Sequence, residues 1–558
     1  MDQTSLGFLE ELYQGTLSEE KLTAARATVD EQKVCAFVDR YHEAIRDFDP
    51  TRLEREGTVP EELMRRFREL GMFGLTIGTE YDGLGFTVSE YLRVVEEMAR
   101  SDMALVLVPL AHLSIGVKGI VLFGNDEQKR HYLPLAARGE MVFSYALTEP
   151  KVGSNAKQVE TAARLDADGT HYLLNGTKTY ITNGNYAGGF TVFAQLDPEN
   201  EPGKMGAFIV ERDWEGVSVG KDMPKMGLKV SSTTPIQFKN VRVPKENMIG
   251  EPGDGFKIAM NILNYGRLGL GAASAGLMNQ SVADMEKRAA SRTQFDTRLA
   301  DFELIQEKIV RAKAHAFAAR NMTFFTAGLL EQDPLMNVAI ESSHCKLYGT
   351  TRCWDTLYDA LQTAGGAGYL SSLPYEKRMR DFRVTTIFEG TTEIHSIYPP
   401  LTLFRNEGKE MSKRKSPLAR LARLWKVSRS TGLRRHKLGD ATLDRALEAA
   451  GKSEGLFKRL LAYGLRKHGK KVVGKEFFLR RMTDTSLSIF ALVSSVSVLH
   501  SRDKAEAGSQ AGAVSDEERS LLDYLGEEAV QTRAEITDID HAPLEAAHHR
   551  VMQVSNGN

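Results

Sequence analysis

The sequence predicts a mostly α-helical protein that carries a central β-domain and ends in an additional helical region. Three observations indicate this. Residues 1–141 and 246–400 show helical periodicity, residues 142–245 hold short β-type runs between turn signals, and residues 401–558 continue with a different charge pattern. With 558 residues, of which 42% are hydrophobic and 26% charged, the chain can form several domain-sized units.

In the N-terminal helical domain, residues 1–141, the clearest element is an amphipathic helix from Glu61 to Leu70. Gly71 follows it directly, and glycine commonly ends helices because it adopts a positive φ without steric cost. Two further helices are predicted over Val88–Met98 and Ala104–Phe123.

The β-domain, residues 142–245, is predicted from six short runs rich in β-branched and aromatic residues. These runs are Val142–Leu147, Glu160–Leu165, His171–Asn175, Gly189–Ala194, Met205–Val210 and Thr234–Val241. The dipeptides Asp168-Gly169 and Asn175-Gly176 are typical of hairpin turns. Together they predict a small barrel or sandwich.

Long helical patterns return after Gly253. Asp254–Asn279, Ala300–Leu330 and Asp333–Thr363 predict three or four antiparallel helices, and therefore a bundle over residues 246–400. Beyond it, the stretch from Ser412 to Arg480 holds 20 Lys or Arg and 5 Asp or Glu, while the chain after Asp503 is acidic.

Composition excludes several classes of protein. The net charge of −2 argues against a generic nucleic-acid binder. The cysteines Cys35, Cys345 and Cys353 lack metal-ligand spacing, so no metal site and a reducing compartment are expected. We expect no secretory signal in the first residues and no apolar run of about 18 residues, with Leu487–Leu499 a buried helix. These features favour a bacterial-type cytoplasm.

Three segments point to one chemistry. They are Tyr145-Ala146-Leu147-Thr148-Glu149-Pro150-Lys151-Val152-Gly153-Ser154-Asn155, then Tyr180-Ile181-Thr182-Asn183-Gly184, and then Ile387-Phe388-Glu389-Gly390-Thr391-Thr392-Glu393-Ile394. In this order and spacing they resemble the acyl-CoA dehydrogenase family, in register from about residue 50 to residue 400. The resemblance implies an acyl-CoA dehydrogenase-like fold, with an N-terminal helical domain, a β-barrel or sandwich and a C-terminal four-helix bundle. It also implies FAD-dependent α,β-dehydrogenation of an acyl-CoA to the trans-2-enoyl-CoA in fatty-acid β-oxidation.

The family reaction needs a carboxylate base near the carbon next to the thioester. The resemblance assigns this role to Glu389, with its backbone N–H on the thioester carbonyl and the flavin N5 taking the β-hydride. Some relatives place the base beside the arginine that matches Arg267, but Leu263–Gly271 holds no carboxylate here. The resemblance also implies a substrate pocket, with Arg267 near the CoA end; its residues would be Leu107, Ala111, Ser154, Asn264, Arg267 and Gly390.

The resemblance implies two sets of FAD contacts. The first belongs to the β-domain and the catalytic loop: Tyr145, Leu147, Thr148, Gly153, Ser154, Tyr180, Ile181, Thr182, Thr391 and Glu393. The second would reach the flavin of a neighbouring subunit, which implies a homodimer or homotetramer: Arg292, Gln294, Phe295, Gln306, Gln362, Thr363, Gly365 and Gly366. The chain departs from the family pattern on the flavin side, where Lys151 replaces a small residue, Asn155 an aspartate and Tyr180 a tryptophan. The alternative for the first set is a purely structural role, in which the Thr, Ser and Asn side chains cap a β-turn by hydrogen bonds to the local backbone.

The extension resembles the C-terminal domain of very-long-chain members, and the apolar segment Leu105–Ala111 is compatible with a long acyl chain. Within the basic segment 412–437, Leu418, Leu421, Leu424 and Trp425 share one helical arc opposite Arg420, Arg423 and Lys426. Such a helix binds an anionic membrane surface or docks on the enzyme with its charges solvated.

Electron-transferring flavoprotein is the expected electron acceptor, by resemblance. An acyl-CoA oxidase that uses oxygen, and a binding or assembly factor with this fold, remain alternatives.

Overall fold

The structure, a computed structural model, describes residues 7–15, 17, 21–22, 29–200, 203–429, 433, 436–505, 514–536 and 542–555. The N-terminal part is helical, and its helices are α1 Phe8–Gln14, α2 Glu31–Ile45, α3 Pro50–Glu56, α4 Glu61–Leu70, α5 Val88–Ser101, α6 Met103–Ala111, α7 Lys118–Phe123 and α8 Asp126–Ala137. The prediction for α4 is confirmed: Leu63, Met64 and Phe67 are buried, and Gly71 ends the helix with φ +77°.

The predicted helix Ala104–Phe123 is interrupted by one π-helical turn, His112–Gly116, between α6 and α7. Turns of this type mark functional sites more often than other helix positions do. By length and composition, Met103–Phe123 and Glu476–Arg502 could each cross a membrane. The expectation that no run is long enough was therefore wrong, although most residues of both segments are buried inside the protein, as in core helices.

The β-domain is one eight-stranded sheet, whose strands are β1 Val142–Ala146, β2 Ala162–Leu165, β3 His171–Thr182, β4 Ala187–Leu196, β5 Met205–Glu211, β6 Val217–Val219, β7 Thr233–Pro244 and β8 Met248–Ile249. Its order is β6-β7-β3-β2-β4-β5-β8, and β1 pairs with β4 in parallel. Phe190, Phe208 and Val241 are among its fully buried residues.

The two predicted hairpin turns have different outcomes. Asp168-Gly169 lies in the turn between β2 and β3, as predicted. Asn175-Gly176 is not a turn, because both residues lie within β3, where the register shifts between Leu174 and Gly176. A Cβ at Gly176 would lie 2.4 Å from the Thr161 hydroxyl, so this glycine serves a close approach of two strands.

The helix bundle is built from α9 Gly255–Ser291, α10 Glu303–Gln332, α11 Ala339–Ala364, α12 Tyr375–Phe382 and α13 Thr392–Ser412. A short hairpin of two two-residue strands, β9 Thr293–Gln294 and β10 Thr297–Arg298, connects α9 to α10. The domain boundary predicted at residue 400 falls inside α13, which continues through Pro399 and Pro400.

The extension consists of α14 Pro417–Ser428, α15 Ala441–Lys467, α16 Glu476–Ala505, α17 Asp516–Glu535 and α18 Ala542–Ser555. Helix α16 packs on α10 and α13. Buried hydrogen bonds cross this junction, from the Thr483 hydroxyl to the Ser396 carbonyl (2.7 Å) and from the Asn321 amide to the Ser495 hydroxyl (3.2 Å). The extension therefore supports the helix that follows Glu389.

Helix α14 agrees only in part with the predicted alternative of a docked helix with solvated charges, since Arg420 and Lys426 are exposed but Arg423 is not. Arg423 faces the protein and forms an ion pair with the buried Glu407, at 2.5 Å. Leu418, Leu421 and Trp425 are 77%, 63% and 61% exposed. Three of the four residues of the apolar arc are thus exposed, while Leu424 is partly buried.

Candidate active site

Glu389 lies in the loop between α12 and α13, directly before the first turn of α13. Its φ is +54°, and the φ of Gly390 is +98°. A glutamate with positive φ is uncommon, and such backbone strain concentrates at functional sites. Thr391 then caps α13, since its hydroxyl accepts from the Ile394 N–H at 3.4 Å.

The carboxylate of Glu389 is withdrawn from solvent, although the residue as a whole is partly exposed. Its Oε2 atom has no hydrogen-bond partner among the described residues. Desolvation raises the pKa of Glu389 to about 7, against the opposing effect of the Arg267 and Lys346 cations. The site therefore holds a carboxyl group that can exchange a proton near neutral pH.

Gly266 provides the space that this carboxylate occupies. A Cβ at position 266 would lie 2.6 Å from Oε1 of Glu389. The neighbouring Arg267 is buried, and within the described part of the chain its Nε has no hydrogen-bond partner. The alternative base position beside Arg267 is thus filled by the Glu389 carboxylate itself.

Two tyrosines face Glu389 from other elements. Tyr145 on β1 donates to the Ala259 carbonyl at 3.3 Å, and burial together with the Glu389 charge raises its pKa. Tyr91 on α5 is also buried, and desolvation and the Glu389 charge raise its pKa. The sequence analysis did not identify Tyr91, because it occupies an ordinary apolar position of an amphipathic helix.

The sequence analysis also did not identify the side chains that hold the loop. The Lys346 ammonium donates to the Gly390 carbonyl at 2.6 Å, and the His395 Nε2–H donates to the Glu389 carbonyl at 3.0 Å. The Ser343 hydroxyl lies 2.7 Å from Nδ1 of His395. Ser343 and Lys346 lie on α11, more than forty residues before the loop, and no local motif connects them to it.

The remaining predicted substrate residues come from two helices and one loop. Leu107 and Ala111 are buried on α6. Asn264 is buried on α9, where its side-chain carbonyl accepts from the Ser342 hydroxyl at 2.8 Å. Ser154 is exposed in the loop after β1.

The first predicted cofactor set lies on β1, the loop that follows it, and β3. The Thr148 carbonyl accepts from the Thr179 N–H at 2.9 Å, which joins the loop to β3. Tyr180 stands at a bulge of β3 with φ +57° and is 66% exposed. Tyr145, Leu147, Ile181, Thr182 and Thr391 are buried or partly buried, and Gly153, Ser154 and Glu393 are exposed.

A buried ion pair ties these strands together. The Lys178 ammonium donates to Glu149 at 2.7 Å and to the carbonyls of Leu147 and Phe193 at 3.1 and 2.7 Å. Glu149 also accepts from the Thr161 N–H at 2.9 Å. This ion pair was not predicted either, although Glu149 lies in the segment Tyr145–Asn155 that carries the family resemblance.

The second predicted cofactor set is almost wholly exposed. Both central residues of the β9–β10 turn, Phe295 and Asp296, have positive φ, and Phe295 is 91% exposed. Arg292, Gln294, Gln306, Gln362, Gly365 and Gly366 are also exposed. Thr363 is buried, and its hydroxyl has no hydrogen-bond partner among the described residues.

Comparisons with known proteins agree with this architecture. Residues 31–140, 144–241 and 253–397 match the N-terminal, middle and C-terminal domains of acyl-CoA dehydrogenase, respectively. The human mitochondrial very long-chain specific acyl-CoA dehydrogenase is 35% identical over 500 residues, which cover 86% of this chain and 75% of that protein.

Two solved structures match different shares of this chain. An acyl-CoA dehydrogenase complexed with FAD from Bacillus anthracis is similar over 92% of this chain and 90% of its own, with a TM-score of 0.79 and 30% identity. Butyryl-CoA dehydrogenase from Megasphaera elsdenii is similar over 68% of this chain and 99% of its own, with a TM-score of 0.63 and 33% identity. The chain belongs to the acyl-CoA dehydrogenase family.

Proposed function

We propose that this protein is an FAD-dependent acyl-CoA dehydrogenase in which Glu389 removes the α-proton of a long-chain acyl-CoA. The observation that carries the proposal is the buried carboxylate of Glu389, unpaired at Oε2 and flanked by two buried cations. In the reaction the α C–H bond breaks, the proton moves to Glu389, and the electron pair moves toward the thioester carbonyl. The partly enclosed site strengthens the base, because an ionised carboxylate is poorly solvated there.

The residues present fit a flavin dinucleotide. The Tyr180 ring is exposed beside Thr182, and open space surrounds the Cα atoms of Gly153, Gly365 and Gly366, since a Cβ there would meet no atom within 4 Å. Tyr180, Ile181 and Thr182 would hold the ring, and Ser154 the pyrophosphate. The chemistry that FAD would supply when bound is acceptance of the β-hydrogen with its electron pair.

The exposed second set supports a homodimer or a homotetramer. Phe295 is 91% exposed at the tip of the β9–β10 hairpin, so its ring is accessible to a second subunit. In a dimer, Phe295, Arg292 and Gln294 would cover the flavin of the partner subunit. The Thr363 hydroxyl would gain the hydrogen-bond partner that it lacks among the described residues.

The outward-facing arc of α14 supports binding to an anionic membrane surface. Leu418, Leu421 and Trp425 form the apolar part, and Arg429 stacks on Trp425 at 4.2 Å. Insertion of a helix face into the headgroup region requires this combination of exposed apolar and basic side chains. Peripheral attachment would bring the enzyme to long-chain substrates that partition into bilayers.

The function is tested by anaerobic titration of the purified flavoprotein with acyl-CoA thioesters of increasing length, followed by visible absorbance. Bleaching of the flavin band, strongest for long chains, is the expected result. No bleaching by any acyl-CoA would refute the proposal. Reduction of electron-transferring flavoprotein without hydrogen peroxide supports a dehydrogenase, and rapid peroxide formation would instead indicate an oxidase.

Membrane attachment is tested by co-sedimentation with vesicles that contain anionic lipid. The double substitution Leu418→Glu and Leu421→Glu should abolish binding, whereas Leu165→Glu, at an exposed leucine of the β-domain, should not change it. Equal binding of both variants would contradict the role of α14.

A further inference from the structure

We infer that Lys346 and His395 are positioning residues that clamp the loop of Glu389 by holding two successive backbone carbonyls. The inference rests on the proposed role of Glu389 as the base. Lys346 holds the Gly390 carbonyl at 2.6 Å and His395 holds the Glu389 carbonyl at 3.0 Å. Both hydrogen bonds go to backbone carbonyls of the loop and not to the Glu389 carboxylate.

The clamp fixes a backbone conformation that the loop would not adopt alone. Both Glu389 and Gly390 have positive φ, which a non-glycine residue such as Glu389 rarely adopts. Non-glycine residues in this region are held there only when the surroundings over-determine them. A Cβ at Gly390 would lie 2.6 Å from Nε2 of His395, so the loop is pressed closely against the imidazole.

His395 suits this role because it remains neutral. It is almost fully buried, and desolvation, together with the Arg267 and Lys346 cations, lowers its pKa well below the usual range. A neutral imidazole that donates from Nε2 must accept at Nδ1, where the Ser343 hydroxyl lies at 2.7 Å. The ring is therefore fixed at both nitrogens.

Lys346 adds charge to the same clamp. It has no solvent exposure, and burial lowers its pKa to about 7, although the negative charge of Glu389 acts in the opposite direction and raises this pKa. A buried lysine is costly unless its charge is used. The charges of Lys346 and of Arg267 on α9 both act on the Glu389 carboxylate. Tyr91 and Tyr145, on other elements, are the further titratable groups that interact with this carboxylate. Removing this cation should raise the pKa of Glu389.

The test compares holoenzyme variants His395→Leu, His395→Gln and Lys346→Met by kcat, KM and the pH profile of kcat/KM. His395→Leu and Lys346→Met should lower kcat by about tenfold to a hundredfold, because small misplacements of a catalytic group have effects of this size. KM should stay within about threefold. His395→Gln should recover most of kcat through its amide N–H, and the acid limb of Lys346→Met should move to higher pH.

Lys118→Met is the matched control. Lys118 is another buried lysine, whose ammonium lies 3.4 Å from the Thr76 hydroxyl and over the Tyr265 ring. Its removal should leave the acid limb in place. If Lys346→Met does not fold, the His395→Leu and His395→Gln pair decides the question.

Glu389→Gln, measured alongside, separates the two claims. If Glu389→Gln is inactive while folded His395→Leu and Lys346→Met match the wild type in kcat and pH profile, the clamp is refuted and the base stands. If Glu389→Gln retains turnover, the base assignment is refuted. Exchange of the α-protons of a bound 3-thia-acyl-CoA in D2O gives a readout without flavin turnover, because sulfur replaces the β-carbon and no hydride can be transferred, and it should slow in both clamp variants.

Discussion

Two buried glutamates, Glu149 in the β-domain and Glu389 in the bundle, show how different surroundings give one side chain opposite properties. Each lies near a buried lysine. Glu149 accepts from Lys178 at 2.7 Å and from the Thr161 N–H at 2.9 Å. Glu389 has no hydrogen bond at Oε2 among the described residues, and its lysine, Lys346, binds a backbone carbonyl instead.

The titration of the two carboxyls follows from this difference. Burial alone would raise the pKa of Glu149, but the Lys178 charge and the hydrogen bonds outweigh it and lower the pKa. Burial dominates at Glu389 and raises its pKa to about 7. Satisfied hydrogen bonds therefore keep Glu149 an anion, while their absence at Oε2 favours proton exchange by Glu389 near neutral pH, as its proposed role requires.

The largest effect is expected from exchanging these carboxylates for amides. Glu389→Gln should lower kcat by about 10²–10⁴-fold, because it removes the general base, and should leave the melting temperature nearly unchanged. Glu149→Gln should behave in the opposite way, lowering the melting temperature while the folded fraction keeps most of its kcat. Steady-state kinetics with thermal unfolding of both variants checks this, and a similar kcat in the two would remove the contrast.

Lys178→Met removes the buried ion pair between Lys178 and Glu149 in the β-domain. Removing one partner of a buried ion pair leaves an uncompensated charge, so the free energy of unfolding should fall by about 3–5 kcal/mol. Arg65→Ala, at an ion pair with Glu62 on the exposed face of α4, should change it far less, because solvent screens exposed ion pairs. Denaturant unfolding compares the two, and equal losses would show that burial of the Lys178 pair is not decisive.

The space around the base is tested by Gly266→Ala. Its Cβ would displace the Glu389 carboxylate, so kcat should fall by about tenfold or more. Gly408→Ala on α13 is the control, because a Cβ there meets no atom within 4 Å, and it should leave kcat unchanged. An unaltered kcat for Gly266→Ala would show that the carboxylate need not occupy this space.

The smallest expected effect is on the pH dependence of kcat/KM. The base must be ionised to accept a proton, so kcat/KM should decline as pH falls through about 7, rather than near the ordinary glutamate value of 4.5. The pKa of Glu149 is shifted the other way, so this group should contribute nothing to that limb. A pH profile measured between pH 5 and 9 checks this, and a flat profile down to pH 5 would contradict the raised pKa of Glu389.

Local patterns predicted the elements and the motif-borne residues. Helix α4 with its Gly71 terminus, six of the eight strands of the sheet, and the loop of Glu389 follow from residues close in sequence, whereas the short strands β6 and β8 were not predicted. The prediction of a turn at Asn175-Gly176 was wrong because a close contact with Thr161, the residue before β2, and not local turn chemistry, requires the glycine.

Contacts between distant segments were not predictable in the same way. Lys346 and His395 occupy ordinary helix positions, and only the packing of α11 against the loop gives them a role. The outward face of α14 depends on Glu407, a buried partner on another helix. A helical wheel identifies two faces, but it does not say which one the protein covers.

The central claim, that Glu389 removes the α-proton, is tested most directly by hydrogen exchange. A 3-thia-acyl-CoA, in which sulfur replaces the β-carbon, cannot complete hydride transfer but keeps the acidic α-position. Incubated with the enzyme in D2O and analysed by mass spectrometry, it should gain α-deuterium with the wild type, and about 10²–10⁴-fold more slowly with Glu389→Gln. Equal exchange rates for the two proteins would contradict the assignment of Glu389 as the base.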